Sequence, residues 1–375
     1  MTWKIPLFKI YWDQDDIDTV STALRSGMNW AVGENVMRFE DELAYYTGTG
    51  YCSTYNSGTS ALCTLLMAAG IGKGDEVIVP SFTFIATANS ALFVGAKPVF
   101  ADIEEETLGL DPDDVLEKIT PKTKAVIPIH YGGCPCKIRE LREIAEDTGL
   151  LLIEDAAEAF GAKIGNRMVG TFGTAAMLSF CQNKIITTGE GGAIVTNDRE
   201  IHEKMKLIRS HGRLETCDYF SSTDLFDYIS LGYNFRMSNI TAALGVAQLG
   251  KVDHIIAMRR ALHEQYMNKL KECRDVITEN EIPGDYFHVY QLFSVRAKNR
   301  DNLIRHLAAA GIMTKIYFPP VHTTQFYKNI LKYNCELTVT SRIFSDILSL
   351  PFYPGMPETD VDYVVDAVKG FYQVE

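Results

Sequence analysis

Leu150-Leu-Leu-Ile-Glu154-Asp155-Ala-Ala-Glu158 and, further on, Ser179-Phe-Cys-Gln-Asn-Lys184-Ile-Ile-Thr-Thr-Gly-Glu-Gly-Gly192 decide how this chain folds. In each, an apolar run of strand length ends abruptly in polar residues or glycine, the pattern of a strand buried on both faces. Working outward, similar runs recur at 76–79, 98–101, 125–130, 150–154, 175–180 and 193–196. Helical patterns, such as 59–69 and 137–148, lie between them. Apolar strands interleaved with helices predict an α/β domain around a mostly parallel central sheet.

After residue 238 the pattern changes. A long helix is predicted to about 272, with a break at Gly250, followed by strands at 289–295 and 314–318 and helices at 301–310 and 358–372. The expected organisation is a large α/β domain, 1–250, and a smaller C-terminal α+β domain, 251–375.

Composition narrows the function. Of 375 residues, 46% are hydrophobic and 22% charged, ample for two cores. The balance of 36 basic against 48 acidic residues gives a net charge of -12, which argues against nucleic-acid or anionic-membrane partners. No run approaches the roughly 18 to 20 apolar residues a membrane span needs. The opening Met-Thr-Trp-Lys-Ile-Pro-Leu does not resemble a signal peptide, and the eight cysteines are scattered, so a cytoplasmic protein with reduced thiols is expected. Cys134-Pro-Cys136 has no second Cys/His pair at zinc spacing, and no metal site is expected.

Three segments carry candidate chemistry. Asn56-Ser57-Gly58-Thr59-Ser60 opens a helix, either as an ordinary N-cap or as a cradle for an anion among free backbone N–H groups. Glu154 and Asp155 stand at the carboxyl end of a strand, the edge where such sheets bind ligands. Asp155 there either caps the next turn or balances a buried cation such as a protonated pyridine nitrogen. Lys184 sits between an apolar strand and the glycines at 189, 191 and 192. A desolvated lysine has a lowered pKa, and its neutral amine attacks carbonyls. A lone lysine is usually a solvated surface residue. Its pairing with Asp155, one strand–helix–strand excursion away, is what makes it telling.

Together with Phe-Thr-Phe-Ile-Ala-Thr (82–87), Glu-Asp-Ala-Ala-Glu-Ala (154–159) and Gly-Tyr-Asn-Phe-Arg-Met-Ser (232–238), these segments resemble the DegT/DnrJ/EryC1/StrS family of sugar-nucleotide aminotransferases. The resemblance implies the type I fold of enzymes dependent on pyridoxal 5'-phosphate (PLP), with its amino form PMP arising in turnover. It implies a Schiff base at Lys184, a partner for the pyridine nitrogen in Asp155 and an aromatic stacked on the ring in Phe84, which would otherwise be an ordinary core residue. Gly58, Thr59, Ser60 and Ser179 match the phosphate cradle. Asn234 matches a side chain reaching the phosphate from the neighbouring subunit, so a homodimer with shared active sites is implied.

Glu158 matches the contact to the cofactor's phenolic oxygen. Since an ionised carboxylate beside a phenolate is repelled, Glu158 is either protonated or faces an amide or another donor. Around Glu158, 183–192 and 236–245, the chain is similar to members that aminate the C4 ketone of a nucleotide-linked 4-keto-6-deoxy sugar, GDP-linked or UDP-linked, with L-glutamate as donor. Trp30, Tyr317 and His322 fall in segments that border the substrate in relatives, although a structural role also accounts for Tyr317 or His322 alone. Residues 28–33 depart from the family pattern, which bears on the sugar and not on the cofactor; Lys137 stands where many relatives carry Asp, a change expected to alter a surface or interface contact only. Relatives that dehydrate sugars carry His in place of the lysine, and a non-catalytic relative would not need Lys184, Asp155 and the cradle together.

Overall fold

The computed structural model describes residues 3–214, 222–223, 225–278 and 282–373. In chain order the first part comprises α1 (Gln14–Arg25), α2 (Glu34–Thr47), β1 (Tyr51–Tyr55), α3 (Gly58–Ala68), β2 (Glu76–Pro80), α4 (Ala86–Phe93), β3 (Lys97–Ala101), α5 (Pro112–Lys118) and β4 (Thr123–Val126). Then come α6 (Ile138–Thr148), β5 (Leu151–Asp155), a short hairpin β6 (Lys163–Ile164) and β7 (Arg167–Met168), β8 (Ala175–Ser179), β9 (Gly192–Thr196), α7 (Arg199–Arg209), α8 (Asn239–Leu249) and α9 (Val252–Leu270). The last part holds β10 (Val276–Ile277), β11 (Tyr286–Phe287), β12 (Phe293–Ala297), α10 (Arg300–Ala309), α11 (Thr338–Asp346), β13 (Ile347–Leu350) and α12 (Glu358–Gln373).

Seven strands form the central sheet in the order β1-β9-β8-β5-β4-β2-β3. The pairs from β8 through β5, β4 and β2 to β3 are parallel, whereas β9 runs antiparallel to both β8 and β1. Two reversals return β1 to the direction of the parallel set. Its carboxyl end, which feeds α3, therefore lies on the same sheet edge as the ends of β5 and β8.

Alternation along each strand divides the core. Ile153, Ala175, Met177 and Ile194 pack with α3, α4 and α7, while Leu152 meets α6 and Ala176, Leu178 and Val195 meet α2 and α8. Both faces are buried, so the strands read as continuous apolar runs. Each fully buried Leu, Ile, Val or Met among them contributes about 1.5–3 kcal/mol.

A second core joins α10, α12, β12, β13 and the far half of α9, and it takes in Ile5 from the chain's start. Helix α9 serves both cores: Val252, Ile255 and Ile256 pack toward the large sheet, Leu262, Tyr266 and Leu270 toward the smaller one. The long helix expected from residue 238 is thus two, α8 and α9, broken at Gly250 and Lys251.

Some expected strands shift. The one at 289–295 starts only at Phe293, because Tyr290 turns with φ 50° and donates its N–H to His288 Nδ1 at 2.8 Å. The one at 314–318 reduces to a single bridge between Lys315 and Ser349. Residues 127–130 leave the regular ladder yet stay paired: the Ile127 N–H donates to the Ile78 carbonyl at 2.8 Å, and the His130 N–H to that of Asp155 at 3.1 Å.

Candidate active site

At the carboxyl edge of the sheet is a cavity of about 750 Å³. Helix α3 begins on its wall. Ser57 caps the helix, its Oγ accepting the Ser60 N–H at 3.1 Å. The next amides, of Gly58 and Thr59, belong to the first turn and have no partner within the helix. Gly192 of β9 lies directly beneath, where a Cβ would come within 2.5 Å of the Gly58 nitrogen. Only glycine lets the strand approach the loop so closely. Ser57, Gly58, Thr59 and Ser179 line the cavity. The Ser60 hydroxyl is turned into the loop, 2.6 Å from Asn56 Oδ1 and 2.9 Å from Ser57 Oγ.

The two adjacent acids at the end of β5 face opposite ways, as a strand's period of two requires. Glu154, fully buried, points away from the cavity and accepts the N–H groups of Gly170 (2.7 Å), Phe172 (2.6 Å) and Gly173 (2.7 Å). It also accepts from His130 Nε2 at 3.1 Å. His130 Nδ1 takes the Cys136 N–H at 3.1 Å, which leaves Nε2 as the protonated nitrogen. Glu154 is an internal staple for the 170–173 loop.

Asp155 points into the cavity. Its Oδ2 accepts the Thr87 hydroxyl at 2.7 Å, and its Oδ1 the Ala157 N–H at 3.2 Å. Thr87 has one proton and gives it to the carboxylate, so the Thr83 hydroxyl, 2.9 Å away, donates in turn to Thr87. Burial pushes the Asp155 carboxyl above the usual carboxylate range; the Thr87 hydrogen bond, the Ala157 amide and Lys184 oppose that rise. Among the described residues no cation lies within salt-bridge distance of Asp155. A buried carboxylate held by a hydroxyl and an amide fits the protonated nitrogen of a pyridine ring.

Lys184 follows β8 on a turn whose N–H returns to the Cys181 carbonyl at 2.9 Å. Its Nζ, with the side chain 14% exposed, is 3.3 Å from Glu158 Oε1. Glu158 Oε2 accepts the Gly132 N–H at 2.9 Å. Glu158 therefore faces the Gly132 amide with one oxygen and the Lys184 Nζ with the other. Gly132 and Gly133 turn at φ 61° and 98°, and a Cβ on Gly133 would meet Val289 Cγ2 at 2.8 Å.

Phe84 lines the cavity with 57% of its surface exposed, its ring 5.9 Å from that of Phe318. Tyr317 also lines it. His322 does not: it is buried behind the wall, Nδ1 2.6 Å from Ser81 Oγ. Trp30 is half exposed, donates Nε1–H to the Leu24 carbonyl at 3.2 Å and lies outside the cavity of its own chain. Asn234 is exposed, bridged to Ser210 and likewise outside. Thr83 and Thr87 were not singled out from sequence; two threonines four apart, beside the aromatic of 82–87, are the signal that marks them. Among the described residues no cluster of His, Cys, Asp or Glu is suited to a metal ion, and no helix is long and apolar enough to cross a membrane.

This site has counterparts in known proteins. Residues 11–369 match the DegT/DnrJ/EryC1/StrS aminotransferase family. GDP-perosamine synthase of Caulobacter vibrioides is 38% identical over 361 residues, covering 95% of this chain and 95% of the relative. The structure superposes on Helicobacter pylori PseC, an aminotransferase of pseudoaminic acid biosynthesis, with a TM-score of 0.92 at 27% identity, over 99% of this chain and 100% of that one. It matches the sugar aminotransferase Spr1654 of Streptococcus pneumoniae, known in PLP and PMP forms, with a TM-score of 0.92 at 25% identity, over 99% of this chain and 99% of the PLP form. Matched by the family model over residues 11–369, with Asp155, Glu158 and Lys184 around one cavity at the carboxyl edge of the sheet, the chain belongs to the DegT/DnrJ/EryC1/StrS family and is a PLP-dependent sugar aminotransferase.

Proposed function

We propose that the protein moves the amino group of L-glutamate to the C4 ketone of a nucleotide-linked 4-keto-6-deoxy sugar, with GDP as the nucleotide. The observation that carries this reading is the convergence of Lys184, Asp155 and Glu158 on one cavity beside the first turn of α3. The similarity to GDP-perosamine synthase over 95% of the chain supports the choice of sugar and nucleotide.

When bound, PLP supplies an electron sink for negative charge at the substrate carbon. Lys184 holds it covalently through Nζ and carries the proton to and from the reacting carbon. Asp155 would keep the pyridine nitrogen protonated, Phe84 would cover the ring, and Glu158, which accepts the Gly132 N–H, would face the phenolic oxygen. The amides of Gly58 and Thr59 and the Ser179 hydroxyl hold the phosphate, with Ser60 bracing the loop through Asn56 and Ser57. Asn234, outside its own cavity, reaches the phosphate of a second subunit, so the working unit is a homodimer with two shared sites. Tyr317, which lines the cavity, borders the substrate.

Purified enzyme tests this directly. Glutamate should bleach the cofactor's visible band, and among GDP-, UDP- and dTDP-linked 4-keto-6-deoxy sugars the GDP-linked one should turn over fastest, with nitrogen at C4. Failure of glutamate to bleach the band overturns the donor; a faster UDP- or dTDP-linked substrate overturns the nucleotide.

Thr87 gives a pH prediction. Its hydrogen bond is the main influence opposing the burial that raises the Asp155 carboxyl. Thr87→Val removes it, so Asp155 takes up a proton at higher pH than before. The acid limb of kcat/KM should therefore move to higher pH, and Thr87→Ser, which keeps the hydroxyl, should restore it. An acid limb unmoved in Thr87→Val contradicts the role given to this hydroxyl.

A further inference from the structure

The cavity is acidic for the molecules it must receive. Its described lining carries the carboxyl groups of Asp155, Glu158 and Glu190 against two lysines, Lys184 and Lys315. Lys184 lies 3.3 Å from Glu158 and, on the reading above, has its amine tied to the cofactor. Lys315 is exposed on the wall built by residues 315–321, and among the described residues no carboxylate stands within 4.0 Å of it.

Its position is nonetheless fixed at both ends. The backbone is clamped to the small sheet: the Lys315 N–H donates to the Ser349 carbonyl at 3.2 Å, and the Ser349 N–H to the Lys315 carbonyl at 2.8 Å. The ammonium lies 4.8 Å from the centre of the Tyr317 ring, another lining residue. A ring face attracts a cation through its quadrupole and offers no carboxylate or carbonyl acceptor. The three N–H donors of Lys315 are thus left for water or for an incoming anion.

On the reading above, each substrate is an anion. The amino donor brings carboxylates and the sugar brings a diphosphate, into a chain of net charge -12. Like charge on the wall repels both unless a cation offsets it. We propose that Lys315 is the anion anchor of the substrate site, binding the carboxylate of the amino donor or the diphosphate of the sugar nucleotide. The inference rests on the aminotransferase and sugar-nucleotide readings. Its two sources are separable, because donor and nucleotide can be presented one at a time.

The test compares wild-type holoenzyme with Lys315→Gln, which removes the charge, and Lys315→Arg, which keeps it. Bleaching of the visible band by glutamate alone, without any sugar, gives an apparent affinity for the donor. Calorimetry with GDP gives the affinity for the nucleotide diphosphate. In Lys315→Gln at least one affinity should weaken tenfold or more and lose most of its dependence on ionic strength, while Lys315→Arg stays within threefold of wild type. In steady state the change should fall on KM and much less on kcat. Weakening for glutamate alone assigns the carboxylate, for GDP alone the diphosphate, and for both an anchor used by each substrate in turn. Both affinities within twofold of wild type, or Arg no better than Gln, overturns the proposal and leaves Lys315 a solvated surface lysine. A wild type that neither responds to glutamate nor binds GDP brings down the underlying reading and this inference with it, whereas a responsive wild type matched by Lys315→Gln removes the anchor alone.

Discussion

Lys184→Ala should turn over no substrate above about 10⁻⁴ of the wild-type rate, since a positioned proton carrier alone contributes about 10²–10⁴-fold and the covalent hold on the cofactor is lost as well. Folding should survive. Glu158 loses the Lys184 contact at 3.3 Å but keeps the Gly132 N–H. A kcat measurement beside a melting curve separates the two effects. Near-normal turnover by a folded variant with an intact visible band would remove Lys184 from the chemistry. The same variant tests the shared site. Asn234→Asp sets a negative charge beside the phosphate of the neighbouring subunit and should also be inactive. Mixed under conditions that exchange subunits, the two dead proteins form heterodimers in which one site combines intact Lys184 with intact Asn234. Activity should return toward one working site per heterodimer; a mixture that stays dead although heterodimers form contradicts the shared site.

The second large effect is expected at Asp155→Asn. The carboxylate uses both oxygens, one for Thr87 and one for the Ala157 N–H. An amide oxygen can still accept the Ala157 N–H while its NH₂ donates to the Thr87 hydroxyl, which turns to donate to Thr83, so the fold persists. The kinetic loss should be far larger. An amide cannot hold a protonated pyridine nitrogen as a carboxylate does, and a rate at least a hundredfold lower, about 2.7 kcal/mol, is expected. If Asp155 only shapes the turn, Asn serves nearly as well, because Asp and Asn are alike in such positions. A kcat within threefold of wild type, with an unaltered spectrum, would establish that lesser role.

The parallel sheet was legible because both its faces are covered, which turns strands such as 150–154 and 175–180 into unbroken apolar runs. Strand β1, Tyr-Cys-Ser-Thr-Tyr, escaped notice for the opposite reason: its polar residues are buried by tertiary partners, with Glu40 accepting both the N–H of Thr54, at 2.7 Å, and its hydroxyl, at 2.9 Å. Such contacts join residues distant in sequence and leave no period to read. The candidate site shows the same division. Lys184, Asp155 and the turn at 57–59 stand where strand ends meet glycine or small polar residues, and they are visible from sequence. The pairing of Glu158 with the Gly132 amide depends on a loop closing across the sheet edge, and the chain Thr83–Thr87–Asp155 on α4 packing beside β5; neither has a local signature. His322 follows a cavity-lining residue, Val321, and only the backbone's path determines that its side chain misses the cavity.

The most direct test of the central claim is chemical. Borohydride reduction of the holoenzyme fixes a cofactor bound to an amine, and digestion followed by mass spectrometry locates the attached phosphopyridoxyl group. The account predicts one modified site per chain, on the peptide containing Lys184, with the label absent after prior incubation with glutamate. A label on another lysine, or none on a protein that shows the visible band, would contradict it.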